Sequence, residues 1–216
     1  MIKENYTPVD IKLDGLVLKG NLSIPENAIG MVIFSHGSGS SRLSPRNNYV
    51  AKVLNEKGLA TLLFDLLTED EDRIYENRFN IDLITMRLID VTQWVQNQKE
   101  GKDLVIGYFG ASTGAASALR AAAFYKNDIG AVVSRGGRPD LAMQELNKVT
   151  APTLLIVGGW DHQVIALNEK AYQELKCHRK LDIVPEASHL FEEPGKLQQV
   201  AVIAAAWFNK WLQRDK

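Results

Sequence analysis

The chain predicts an α/β domain: a mostly parallel, twisted sheet with helices on both faces and an antiparallel hairpin at its start. Three observations carry that reading. Short apolar runs alternate with amphipathic stretches of helical length along most of the 216 residues, the pattern of strands buried on both faces beneath covering helices. The first two strand-like segments look like an antiparallel pair, joined by Asp14-Gly15, a strong hairpin turn. No repeat, low-complexity tract or Pro/Ser-rich linker interrupts this order, and a hydrophobic content of 45% suits one domain, 1–216, with a sizeable core.

The elements follow in order. Val9-Asp10-Ile11-Lys12-Leu13 alternates, and the run from Leu16 to Ile24 ends at Pro25. Met31 to Ser35 is an apolar strand, followed by a polar loop and a helix over Pro45–Lys57 that Gly58 terminates. Leu59 to Phe64 is the next strand. A long acidic loop, 66–78, leads into a helix over Ile81–Gln98 with a stripe of Ile84, Leu88, Val91 and Val95. Strand 104–109, helix 113–125 and strand Ile129–Ser134 come next. The last third predicts a short helix over Asp140–Leu146, strand Thr153–Val157, a helix from Val164 to Leu175 and strand Lys180–Val184. A closing helix over Lys196–Leu212 carries Val200, Ile203, Ala204, Trp207 and Trp211 at helical spacing.

Composition excludes several functions. A net charge of −1 gives no general attraction for nucleic acid or an anionic membrane. No apolar run approaches the roughly 18 residues that span a bilayer, and Met1 to Tyr6 lacks a signal peptide's apolar stretch. The default location is cytoplasmic. The single cysteine, Cys177, excludes a disulfide framework and a cysteine-based metal cluster. Four scattered histidines with no i, i+4 pair argue against a metal site. The glycine loop 37–41 lacks the spacing of a nucleotide cradle.

Chemistry enters at residues 110–114, Gly-Ala-Ser-Thr-Gly. The bare pattern arises by chance about once in fifteen chains of this length at average glycine and serine usage, so context has to decide. Here it falls between an apolar strand and an alanine-rich helix, as in a nucleophile elbow, where glycines relieve a sharp turn that exposes the serine. Ser112 could otherwise be an ordinary N-cap. A serine hydroxyl needs a base to take its proton, and the base needs a carboxylate to hold its tautomer. Both follow at later strand ends, Asp161 in Gly158-Gly159-Trp160-Asp161 and His189 in Ala187-Ser188-His189. Asp140, read as the N-cap of a short helix, and Glu186, close to His189 in sequence, are the competing acids.

With Phe34-Ser35-His36-Gly37-Ser38-Gly39 these motifs carry a resemblance to the α/β-hydrolases, and in small capless form to the dienelactone-hydrolase-like serine hydrolases, over nearly the whole chain. Dienelactone hydrolases proper use a cysteine at the elbow; Ser112 departs from that, so the dienelactone substrate is not implied. The resemblance implies an α/β-hydrolase fold without a cap domain, with fewer than about 20 residues between Ser134 and Thr153, too few for a separate cap. It also implies an oxyanion hole made by the N–H of Thr113 and that of Ser38, with Gly37 as second choice. His36 then buttresses the glycine loop, and His162 is a loop residue.

Arg135, in Ser134-Arg135-Gly136-Gly137-Arg138 after a strand, is a candidate substrate-binding residue whose planar fork suits a carboxylate or phosphate. The competing reading pairs Arg135 or Arg138 with an acidic neighbour, and Arg42 and Arg46 carry the same ambiguity. The reading as a whole is a serine hydrolase acting on a small or polar ester or thioester through an acyl-serine, with no cofactor and no metal. Amide hydrolysis, acyl transfer, perhydrolysis and a non-catalytic binding protein are the alternatives.

Overall fold

The sheet is built outward from strands that have no polar face. In the computed structural model, which describes residues 6–213, every residue of β3 (Gly30–Ser35), β4 (Leu59–Phe64), β5 (Ile106–Ala111) and β7 (Thr153–Gly158) is buried. The N-terminal stretch Met1–Asn5, part of the segment compared with a signal peptide, lies outside the described residues. β6 (Ile129–Arg135) and β8 (Arg179–Val184) complete a parallel set in which neighbours are β4-β3-β5-β6-β7-β8. β1 (Thr7–Leu13) and β2 (Leu16–Ser23) pair antiparallel with Leu13 opposite Leu16, and β2 runs antiparallel to β4. Gly15 turns that hairpin at a φ of 76°, a conformation open to glycine without steric cost.

Because strand side chains alternate, β3 feeds two cores. Met31 and Ile33 face a layer containing Leu88, Val91, Leu119 and Ala171, supplied by α3 (Ile81–Asn97), α4 (Thr113–Tyr125) and α5 (His162–Glu174). Val32 and Phe34 face Val50, Leu54, Val200 and Phe208 from α1 (Pro45–Glu56) and α6 (Lys196–Trp211). Each fully buried leucine or phenylalanine contributes about 1.5–3 kcal/mol. The carboxyl ends of β3, β5, β6, β7 and β8 lie along one edge of the sheet, and there the loops starting at residues 36, 112, 136, 159 and 185 meet.

Three local expectations are corrected. The acidic loop 66–78 is partly helical: α2 (Glu69–Asp72) is held by a reciprocal cap between Thr68 and Glu71, and a 3-10 turn spans Tyr75–Phe79. The helix over 140–146 is instead two 3-10 turns, Pro139–Ala142 and Leu146–Lys148. Asp140 is therefore inside a turn rather than at an N-cap, drawn there by both arms of Arg138 at 2.8 Å. His162 opens α5 instead of lying in a loop, because the helix starts directly after Asp161. No cap domain stands between β6 and β7.

Candidate active site

One residue separates β5 from α4, and that residue is Ser112. It makes the turn alone at φ 51° and ψ −121°, a region that costs a non-glycine residue about 1–3 kcal/mol. Its neighbours hold it there. The Ser112 N–H donates to the Arg135 carbonyl at 3.2 Å, and its own carbonyl accepts from Ala115 and Arg138 N–H groups, each at 3.1 Å. The flanking glycines are steric necessities: a Cβ on Gly114 would lie 2.1 Å from the Ser35 carbonyl oxygen, and one on Gly110 2.4 Å from Ala115 Cα. Although Ser112 occupies the N-cap position of α4, its side chain makes no capping bond.

Asp161 follows β7 and His189 follows β8, on adjacent strands. His189 Nδ1 lies 2.6 Å from Asp161 Oδ2. An ionised carboxylate is an acceptor only, so it fixes the proton on Nδ1 and leaves Nε2 free to take another. Two main-chain bonds lash the loops together, Gly159 N–H to the Val184 carbonyl at 2.8 Å and Trp160 N–H to the Ala187 carbonyl at 3.0 Å. The other two acids are engaged elsewhere: Asp140 with Arg138, and Glu186 with Lys196 at 3.5 Å. Gly136 connects the two halves of the site, because a Cβ there would sit 3.4 Å from His189 Cε1 while the preceding carbonyl holds Ser112. Ser112 Oγ and His189 are not hydrogen-bonded, and such bonds commonly tighten only in the substrate complex.

The glycine loop after β3 reaches the same point. A Cβ on Gly37 would stand 3.1 Å from Ser112 Cβ, so only glycine lets the backbone approach Ser112 this closely. Thr113 opens α4, and its N–H has no carbonyl one turn back. Ser38 is brought beside it, but its N–H donates to Thr113 Oγ1 at 2.9 Å. His36 supports the loop from beneath. Its Nε2 accepts the Leu66 N–H at 3.1 Å, so Nδ1 carries the proton and donates to the Gly37 carbonyl at 3.0 Å. Burial holds this imidazole below its ordinary range.

The arginines divide. Arg42 pairs with Asp65, Arg46 reaches Glu192 at 3.0 Å, and Arg138 forks onto Asp140. Arg135 is buried and forms no ion pair among the described residues. Its polar neighbour is Asn47, a residue sequence reasoning did not single out. The signal was present, since Asn47 stands in the buried stripe Asn47, Val50, Ala51, Leu54, where an amide needs a partner.

An elbow serine between strand and helix, and a histidine and aspartate at the ends of β8 and β7, on a sheet of this topology define an α/β-hydrolase fold. Residues 18–213 match the Dienelactone hydrolase family, and the chain belongs to it. A dienelactone hydrolase from Anabaena variabilis is 53% identical, with a TM-score of 0.94 over 96% of this chain and 98% of that one. Est1E from Butyrivibrio proteoclasticus shares the fold at 18% identity, TM-score 0.81, over 94% of this chain and 98% of its own. Proteins from two strains of Mycobacterium tuberculosis, carrying the provisional name phosphoribosyl transferase, are 57% identical over 189 residues. That stretch is 88% of this chain but 43% of each relative, so the chain spans less than half their length.

Proposed function

We propose that the protein is a serine hydrolase that cleaves a carboxylic ester or thioester of a small or polar substrate. The observation that carries this reading is the 2.6 Å bond between His189 Nδ1 and Asp161 Oδ2, beside a strained elbow serine. His189 Nε2 takes the Ser112 proton as Oγ attacks the substrate carbonyl. The oxyanion that forms rests on the Thr113 N–H and on the Ser38 N–H, which turns to it from Thr113 Oγ1. Collapse breaks the bond to the leaving oxygen or sulfur, and His189 returns the proton to it. Water, deprotonated by the same nitrogen, then attacks the acyl carbon; the bond to Ser112 Oγ breaks, His189 returns the proton to Oγ, and the acid leaves. Asp161 holds the histidine throughout and stabilises the imidazolium.

The short connection between β6 and β7, with no cap, supports an open site and a small or polar acyl group. The transferase name belongs to proteins of which the matched stretch is 43%, and the match of residues 18–213 to a hydrolase family favours hydrolytic chemistry for this stretch. Diisopropyl fluorophosphate tests the nucleophile. Mass spectrometry is expected to find one diisopropylphosphoryl group per chain, on the peptide containing Ser112 and absent from Ser112→Ala. Labelling elsewhere, or none, contradicts the reading.

A further inference from the structure

Three glutamates share the connection from β8 to α6, and they are used differently. Glu186 and Glu192 are largely exposed and turn outward to cations, Lys196 at 3.5 Å and Arg46 at 3.0 Å. Glu193 forms no ion pair among the described residues. Its Oε1 accepts the Ser188 N–H at 3.1 Å, one residue before His189, and Oε2 is closed off from solvent with no donor. The Ser188 hydroxyl and the Glu193 backbone hold this carboxyl below its ordinary range, so it is ionised near neutral pH and acts only as an acceptor. A carboxylate oxygen shut away without a donor is unfavourable. An acid placed only for solubility would leave both oxygens to water or a cation, as its two neighbours do.

The backbone that Glu193 grips is under strain on both sides of His189. Glu186 and Phe191 stand at φ 54° and 57°, left-handed conformations that favour glycine. Upstream, the chain is pinned to the loop after β7: the Trp160 N–H donates to the Ala187 carbonyl at 3.0 Å. Gly158 allows that approach, because a Cβ there would lie 2.4 Å from the Ala187 carbonyl oxygen and 2.5 Å from that of Ser188. Downstream, the buried Phe191 donates its N–H to the Ser188 carbonyl at 3.2 Å. Ser188 is thus held at its N–H by Glu193 and at its carbonyl by Phe191. Those two peptide groups set where the His189 side chain leaves the backbone, and its ring then has to meet Asp161 Oδ2 at 2.6 Å.

We propose that Glu193 is a positioning residue for the general base: its carboxylate clamps the Ser188 backbone so that His189 meets Asp161 through Nδ1 and keeps Nε2 free for Ser112. This deepens the serine-hydrolase reading and rests on it. Glu193 acts through His189 and takes no part in the chemical steps. The loop is held in its strained course by one acceptor placed at the right reach, and the charge of that acceptor is secondary.

The test joins kinetics on p-nitrophenyl acetate to NMR of the histidine rings. In Glu193→Ala, kcat is expected to fall about tenfold or more with KM within about twofold, because a displaced base weakens proton transfer without altering substrate contacts. Glu193→Asp keeps the charge but stops one methylene short of Ser188. It should lose nearly as much, and it decides if Glu193→Ala does not fold. Glu193→Gln keeps an acceptor at the same reach and should hold kcat within about threefold of wild type. Glu192→Ala, the adjacent surface acid, should stay within about twofold. Long-range proton–nitrogen spectra, with His189 assigned by its loss in His189→Gln, should show the Nδ1–H tautomer in wild type and Glu193→Gln. Glu193→Ala and Glu193→Asp should show a mixture of tautomers. If either kcat or the tautomer is unchanged in Glu193→Ala and Glu193→Asp, the clamp is overturned while the hydrolase stands. A loss in Glu193→Gln as large as in Glu193→Ala overturns it as well. If wild type turns over no ester, the hydrolase reading fails and the tautomer alone judges the clamp: a shift in Glu193→Ala or Glu193→Asp sustains it, and none overturns it.

Discussion

Ser38 donates its backbone N–H to Thr113 Oγ1 at 2.9 Å, which ties the glycine loop after β3 to the residue that follows the elbow serine, Ser112. The two predicted oxyanion donors are therefore held side by side by a side chain. Thr113→Val keeps the shape and removes the acceptor, so Ser38 loses its anchor. We expect kcat on a p-nitrophenyl ester to fall about tenfold or more, with KM little changed, as for a group acting mainly in the transition state. Thr113→Ser should restore most of the rate. A Thr113→Val enzyme with wild-type kcat would mean that the contact does not position the loop.

Gly114→Ala tests the elbow's packing. The new Cβ would meet the Ser35 carbonyl oxygen at 2.1 Å and that of His36 at 2.5 Å, both backbone atoms that cannot give way cheaply. The cost should exceed about 3 kcal/mol, read as a lowered urea midpoint or loss of soluble protein. Gly39→Ala, with φ 69° but nothing within 4 Å, should cost only about 1–2 kcal/mol of backbone strain. Equal losses at the two positions would refute the steric account.

Asp161→Asn preserves size while removing the charge that fixes the His189 tautomer. Ester turnover should fall roughly a thousandfold or more. Because the Asp161 side chain does not cap α5, the melting temperature should move by only a few degrees. Asp140→Asn and Glu186→Gln should stay within about threefold of wild type, since those carboxylates hold Arg138 and Lys196. A large loss of turnover in either would reassign the acid.

His36 predicts a pH dependence of stability. Burial lowers its folded pKa below the ordinary 6.5, against opposing contributions from the Gly37 carbonyl and Asp65. Below about pH 6.5 the unfolded chain therefore binds a proton that the folded one resists. This contribution is complete above that pH and is lost as pH falls toward the folded value. Urea midpoints measured from about pH 8 down to 5 should decline more steeply for wild type than for His36→Gln. Parallel profiles would show that the buried imidazole is not linked to folding.

Much of the fold was legible because β3, β4, β5 and β7 are buried on both faces and must read as apolar runs. The order of strands was not: nothing in Leu59 to Phe64 says that β4 lies between β2 and β3. The turns at 69–79 look like loop in the sequence because their run of acidic residues hides the Thr68–Glu71 cap. Asp161 and His189 are legible because each sits just beyond an apolar strand, but their 2.6 Å contact depends on β7 and β8 being neighbours, which no local pattern states. Arg135 was ambiguous for a physical reason. A strand-end arginine reads the same whether a carboxylate folds onto it, as Asp140 does onto Arg138, or none does.

The most direct test of a competent serine nucleophile is the release of p-nitrophenol from excess p-nitrophenyl acetate, followed from the first milliseconds and repeated with Ser112→Ala. A burst approaching one equivalent per chain is expected, followed by slower turnover, with both phases lost in the variant. Release no faster than that of Ser112→Ala would contradict it and leave the fold with a binding role in place of a catalytic one.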